Sequence, residues 1–190
     1  AKGDGARLKT ALEEGLDQGL TVNEIKEILI QMYAYAGFPR SLEGLKLFLV
    51  VLDERKARGI VDETGKDATR LPVGTDRYVL GTAVQTKIAG KPVEGPVYEF
   101  APVINTFLRE HLFGDIFGRD VLDFQDRELA TAAALASLPA ETQLRSHLKG
   151  CLNVGLSSQH LKEFVTVLET KVGKSEAQMA ARLLDDILQQ

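Results

Sequence analysis

Glu128 and His147 are residues of this sequence whose types could move protons in a reaction on a small molecule. An imidazole gains and loses a proton near neutral pH, and a carboxylate beside it could orient the ring or carry a proton itself. The carboxylate of a substrate also needs a cation to bind it. Arg127, directly before Glu128, could supply it, and so could Arg145, one helical turn before Lys149. Together these residue types could bind a small acid and protonate it.

Each of these residues also has a structural interpretation. Glu128 could be a solvated acid in the first turn of a helix, where it complements the helix dipole. His147 could be a half-buried helix histidine. His111 and His160 lack metal-ligand spacing and are expected at surface or capping positions, so no metal site is predicted.

Cys151 is the single cysteine of the chain, so no internal disulfide and no Cys-x-x-Cys pair can form. It follows Gly150 in a helical pattern and is expected to be a small core residue rather than a nucleophile.

The composition is that of a globular protein, with 44% hydrophobic and 26% charged residues in a chain of 190. A net charge of -4 and the lack of a basic run argue against nucleic acid as a partner. No apolar stretch approaches the ~20 residues that span a bilayer, so no membrane partner is expected. The opening residues lack the apolar core of a signal peptide. A cytoplasmic location is the default expectation, and export stays open if a segment precedes residue 1.

Hydrophobic periodicity predicts an all-α fold. Thr21 and Glu24 form a capping box at the start of one helix, which should stop near Gly37, and Pro39 suits the first turn of the next. Further helices are predicted near 76–89, 103–113, 123–137, 140–153, 157–170 and 175–189. The Gly- and Pro-rich stretch 59–75 reads as a linker or surface loop.

The chain also repeats itself at a spacing of 136 residues. That shift superposes GLTVNEIKEILIQMYAYAG (19–37) on GLSSQHLKEFVTVLETKVG (155–173) without a gap, which predicts a duplicated helical module. The predicted helix at 123–136 has no counterpart in the first copy, so either that copy lost it or the chain begins late. The predicted division is a first module at 1–58, a linker at 59–75 and a second module at 76–190.

Four short motifs resemble the carboxymuconolactone decarboxylase family, within the alkylhydroperoxidase D-like superfamily. They are Arg-Glu-Leu (127–129), His-Leu (147–148), Asn-x-Gly (153–155) and Tyr-Ala-Gly-Phe-Pro (35–39). The resemblance covers 76–190 as a nearly complete module and 7–58 as the C-terminal part of another. It implies a helical bundle that assembles into a homo-oligomer, a trimer or a hexamer.

The resemblance also bears on chemistry. The peroxidase branch of the superfamily uses a Glu, eleven residues, Cys-x-x-Cys, three residues and a His. With Glu128 as the first member, this frame places Ala140 and Gln143 at the cysteine positions and His147 at the histidine. Both thiols are absent, so thiol-dependent peroxidase activity ranks third among the possible functions.

The first expectation is a cofactor-free enzyme that decarboxylates a small carboxylated lactone or a similar acid, with His147 and Glu128 as catalytic residues. The alternative is a degenerate member kept as an oligomeric binding or scaffold protein, since the first copy has Ala11 where the second has His147. A composite site is a further hypothesis, in which the first copy contributes three aromatic residues for substrate binding: Tyr33, Tyr35 and Phe38.

Overall fold

The computed structural model describes residues 1–138 and 140–189, so residue 190, the last position of the predicted second module, lies outside them. Within these ranges the chain forms helices and turns and no β-strand, and the all-α prediction is confirmed. The contacts divide the chain into two units, the first at Ala1–Thr69 and the second from Arg70 onward. None of the described helices is long and apolar enough to cross a bilayer.

The first unit has three helices: α1 (Gly5–Asp17), α2 (Val22–Gln31) and α3 (Tyr33–Ala57). The predicted capping box is present, with Thr21 Oγ1 accepting from the Glu24 backbone and the Glu24 carboxylate accepting from the Thr21 N–H. Gly37 interrupts α3 with φ 82°, so the predicted helix break is confirmed. Six apolar residues form the buried core: Leu12, Leu16, Ile25, Leu29, Phe48 and Val51.

The segment that follows α3 has no regular structure, but its first part is fixed to the first unit. The buried guanidinium of Arg55 binds Asp62 through Nε and Nη2 at 2.8–3.0 Å, and its Nη1 binds Asp17 at 2.8 Å. The amide of buried Asn23 donates to the carbonyl oxygens of Gly65 and Lys66. The stretch expected to be a surface loop is therefore partly docked, and the first unit extends to residue 69.

The second unit contains seven α-helices and one π-helix within its described residues. They are α4 (Arg77–Ala89), α5 (Pro96–Phe100), α6 (Pro102–Thr106), the π-helix (Phe107–Ile116), α7 (Phe124–Ser137), α8 (Glu141–Asn153), α9 (Ser158–Lys171) and α10 (Lys174–Leu188). The last four start and stop within one residue of the predicted positions. The π-helix was not predicted, because its i to i−5 hydrogen bonds produce no distinct sequence period.

Side-chain hydrogen bonds and an ion pair join α8 to the neighbouring helices. Asn153 donates from its amide to the Ile88 carbonyl at the end of α4, and Gln125 of α7 donates to the Val154 carbonyl that follows α8. Arg145 of α8 pairs with Asp186 of α10. The buried residues of α7 include four small ones: Thr131, Ala132, Ala134 and Ala136.

The π-helix and α4 pack almost backbone to backbone at Gly81. A Cβ atom built on Gly81 would lie 1.6 Å from the carbonyl oxygen of Arg109 and 2.8 Å from the backbone nitrogen of Gly114. Neither backbone group can rotate away as a side chain could, so only glycine permits this approach.

We expect Gly81→Ala to lower the free energy of unfolding by about 3 kcal/mol or more, because the added methyl group must push the two helices apart. Urea denaturation followed by far-UV circular dichroism measures this change. Gly5→Ala is the matched control, since nothing lies within 4 Å of its added Cβ. Equal stability of the two variants would contradict the packing argument.

Candidate active site

The α7–α8 hairpin brings Glu128 and His147 into direct contact. His147 Nδ1 lies 2.9 Å from Glu128 Oε2, although 19 residues separate the two in the sequence. The Glu128 side chain is fully buried, whereas the His147 side chain keeps 17% of its surface exposed. The imidazole is therefore partly accessible from outside, whereas the carboxylate is not.

The hydrogen bond between Glu128 and His147 indicates which nitrogen of the imidazole carries a proton. An ionised carboxylate can only accept hydrogen bonds, so His147 carries a proton on Nδ1 when Glu128 is ionised. The other ring nitrogen, Nε2, is not part of this bond.

The second oxygen of Glu128 is buried as well. Oε1 has no hydrogen-bond partner among the described residues. The orientation of this carboxylate therefore depends on the bond to His147 and on the surfaces against which it packs. One of these surfaces is the backbone of α8 at Gly150, where a Cβ atom would lie 2.6 Å from Oε2.

The two arginines predicted to bind a substrate carboxylate have structural contacts. Arg127 is fully buried, donates from Nη2 to the Arg119 carbonyl at 2.8 Å and lies 5.9 Å from the centre of the Phe117 ring. Arg145 forms the ion pair between α8 and α10 described above. These contacts favour structural roles, and substrate binding by either arginine stays a prediction.

The three aromatic residues predicted to contribute to the site lie at the start of α3, in the first unit. The rings of Tyr33 and Phe38 are stacked, with centroids 4.3 Å apart and planes 8° from parallel. Tyr35 lies between them in the sequence, and Phe38 is exposed. The hypothesis that they face His147 stays a prediction.

Cys151 follows Gly150 on α8 and is fully buried. Burial raises the pKa of its thiol far above the usual range, and the negative charge of Glu128 raises it further. A thiol with a raised pKa holds almost no reactive thiolate at neutral pH. This environment suits a small core residue, as predicted, and argues against a thiol peroxidase.

The two remaining histidines lie in exposed positions, as expected. His111 pairs with Asp115 on the surface of the π-helix at 2.9 Å. His160 lies in the first turn of α9, where its backbone N–H donates to the capping Ser157.

A shallow groove along α4 was not predicted from the sequence. It has a volume of about 610 Å³ and a mostly apolar lining. Its lining residues are Tyr78, Val79, Thr82, Ala83, Thr86 and Lys87. The Lys87 ammonium lies 4.7 Å from the centre of the Phe124 ring, and Phe124 lies one helical turn before Glu128 on α7. The groove therefore has an ammonium group at its end next to α7. The alternation of threonine with alanine and valine on one face of α4 is a weak signal for it.

The comparison with known families concerns this second unit. Residues 102–186 match the model of the carboxymuconolactone decarboxylase family. The matched segment runs from the start of α6 into α10 and includes both Glu128 and His147. The chain is also 27% identical over 115 residues to a 4-carboxymuconolactone decarboxylase of Acinetobacter baylyi (strain ATCC 33305 / BD413 / ADP1), an alignment that covers 58% of this chain and 86% of that protein.

We expect Cys151 of the native protein to react with a maleimide at pH 7.5 at least ~100-fold more slowly than an exposed thiol, because it is buried and its pKa is raised. Mass spectrometry of timed samples measures the rate. A Cys151→Ala chain carrying Ser158→Cys gives the exposed reference, and urea-unfolded protein gives full labelling. Equal labelling rates for Cys151 and the reference cysteine would contradict the assignment of Cys151 as an unreactive core residue.

Proposed function

We propose that this chain is a member of the carboxymuconolactone decarboxylase family and a cofactor-free enzyme that decarboxylates a small carboxylated lactone or a related acid. The buried hydrogen bond between Glu128 and His147, within the segment that matches the family model, is the observation that carries the proposal. The similarity to a protein named 4-carboxymuconolactone decarboxylase supports the substrate class.

The chemistry of such a reaction suits this pair. When an unsaturated lactone acid loses CO₂, the carbon–carbon bond to the carboxylate breaks and its electrons move into the conjugated lactone. A proton must then be added to a carbon atom of that system. His147 Nε2 would deliver it, and Glu128 would hold the ring and stabilise its charged form. Positioned general acids contribute about 10²- to 10⁴-fold to such steps.

The carboxylate of the substrate needs a cation or N–H donors, and Lys87 is our candidate for this role. Lys87 is exposed at the end of the α4 groove. Its ammonium group contacts the face of the Phe124 ring. The apolar lining of the groove fits the ring of a small acid, and a single charged group at one end would orient it.

A duplicated module is the second part of the proposal, and three observations support it. Helices α1 and α8 both begin and end 136 positions apart, and Thr21 and Ser157 cap the helices that follow them. In both units a cation at the equivalent place on the first of these helices pairs with an acid on the third helix: Lys9 with Glu54, and Arg145 with Asp186. The first unit has Ala11 at the place of His147 and would be non-catalytic.

The absence of this histidine from the first copy also favours the alternative function, an oligomeric binding or scaffold protein. The predicted trimer or hexamer is common to both functions. Turnover by the second unit decides between them.

We expect His147→Ala and Glu128→Gln each to lower kcat at least ~100-fold on any lactone acid that the protein decarboxylates, because each breaks the proton-transfer pair. Release of CO₂ from a panel of carboxylated lactones measures the rate. His111→Gln, at an exposed histidine, is the control with unchanged turnover. A His147→Ala variant that retains full activity would exclude His147 as the proton donor, whereas no CO₂ release by the native protein from any lactone acid of the panel would favour the binding protein.

We expect Lys87→Met to raise KM about tenfold with kcat changed no more than about threefold, since it removes a charge contact but keeps the length of the side chain. Steady-state kinetics on the best lactone acid separates the two constants. Lys162→Met, an exposed lysine on α9, is the matched control. An unchanged KM in Lys87→Met would show that the carboxylate binds elsewhere.

A further inference from the structure

Gly150 lies in the middle of α8, where glycine is among the least favourable residues. It is buried, and its backbone has the ordinary negative φ of a helix, so the conformation of the backbone does not require glycine there. A glycine at a buried helical position therefore calls for a packing reason.

The contacts around Gly150 supply this reason. A Cβ atom built there would lie 2.6 Å from Glu128 Oε2, 3.4 Å from Glu128 Cδ and 3.1 Å from Ile88 Cγ2. The contact with Oε2 is closer than real Cβ atoms allow. Ile88 Cγ2 is at the edge of the tolerated range and would have to give by only a few tenths of an ångström. The carboxylate of Glu128 is thus the group for which Gly150 makes room.

The same oxygen atom makes the bond to the histidine. Glu128 Oε2 lies 2.9 Å from His147 Nδ1, and His147 and Gly150 share one face of α8 because three residues separate them. The carboxylate therefore contacts the backbone of α8 at Gly150. This contact lies about one helical turn after His147, whose ring the carboxylate orients. Since Oε1 has no hydrogen-bond partner among the described residues, no second hydrogen bond would hold the carboxylate if Oε2 were displaced.

We propose that Gly150 is a positioning residue, whose missing side chain allows the Glu128 carboxylate to reach His147 Nδ1. This inference rests on the proposed function for its effect on turnover. Its effect on the Glu128–His147 bond can be measured without any substrate. Gly150 does not contact the substrate, and it acts through Glu128.

The first test is Gly150→Ala. The added methyl group displaces Oε2, so we expect kcat on a lactone acid to fall about 10- to 100-fold while KM changes less than about threefold. In NMR spectra of the folded protein, the Nδ1–H signal of His147 should shift upfield or disappear through exchange. Gly5→Ala, a helical glycine with open space around it, is the control for both measurements.

The second test uses thermal unfolding in two backgrounds. In the native background Gly150→Ala should lower Tm, because the methyl group collides with the carboxylate. In Glu128→Ala protein the carboxylate is absent, and the same substitution should raise Tm by about 2–4 °C through the higher helix propensity of alanine. If Gly150→Ala alone does not fold but the double variant does, the contact is also supported.

A shift of Tm in the same direction in both backgrounds, or an unchanged His147 signal in Gly150→Ala, would overturn the inference. Failure of the proposed function looks different. In that case His147→Ala retains full turnover, whereas the reversal of the Tm shift and the NMR signal still report on the contact between Gly150 and Glu128.

Discussion

The second unit depends on a carboxylate that is buried against an imidazole. Burying a polar or charged group is costly unless the group has a partner, and the fully buried Glu128 carboxylate is hydrogen-bonded to His147. This contact forms only if α7 and α8 approach closely and keep their register. The bare backbone at Gly150 leaves room for the carboxylate, and Gln125 of α7 donates to the Val154 carbonyl that follows α8.

Close backbone contact also determines where α4 lies. Gly81 allows α4 to pack on the π-helix, and the other side of α4 meets α8 through Ile88. Arg109 extends the same contact by donating to the hydroxyl of Tyr78 and to the carbonyl of Val93. Helix α4, which carries the groove, therefore packs on both the π-helix and α8.

The two units share a helix cap and an interhelical ion pair, but the Glu128–His147 contact belongs to the second unit. Thr21 caps α2 and Ser157 caps α9 with a hydroxyl side chain. One ion pair joins α1 with α3 in the first unit, and another joins α8 with α10 in the second. Ala11 replaces the histidine in the first unit, and the helix that would carry a glutamate has no counterpart there. These shared features are the basis of the proposed duplication.

The sequence by itself determined most of the helices, because caps, breaks and apolar periods act between residues a few positions apart. The Thr21 capping box and the break at Gly37 were predicted for this reason, and the similarity of the chain to a known family indicated that Glu128 and His147 are related. Tertiary packing alone decided that Arg127 turns to the Arg119 carbonyl and that Gly150 makes room for the carboxylate. The direction of a side chain and the free space around a glycine depend on how whole helices pack, and residues far apart in the sequence set that packing.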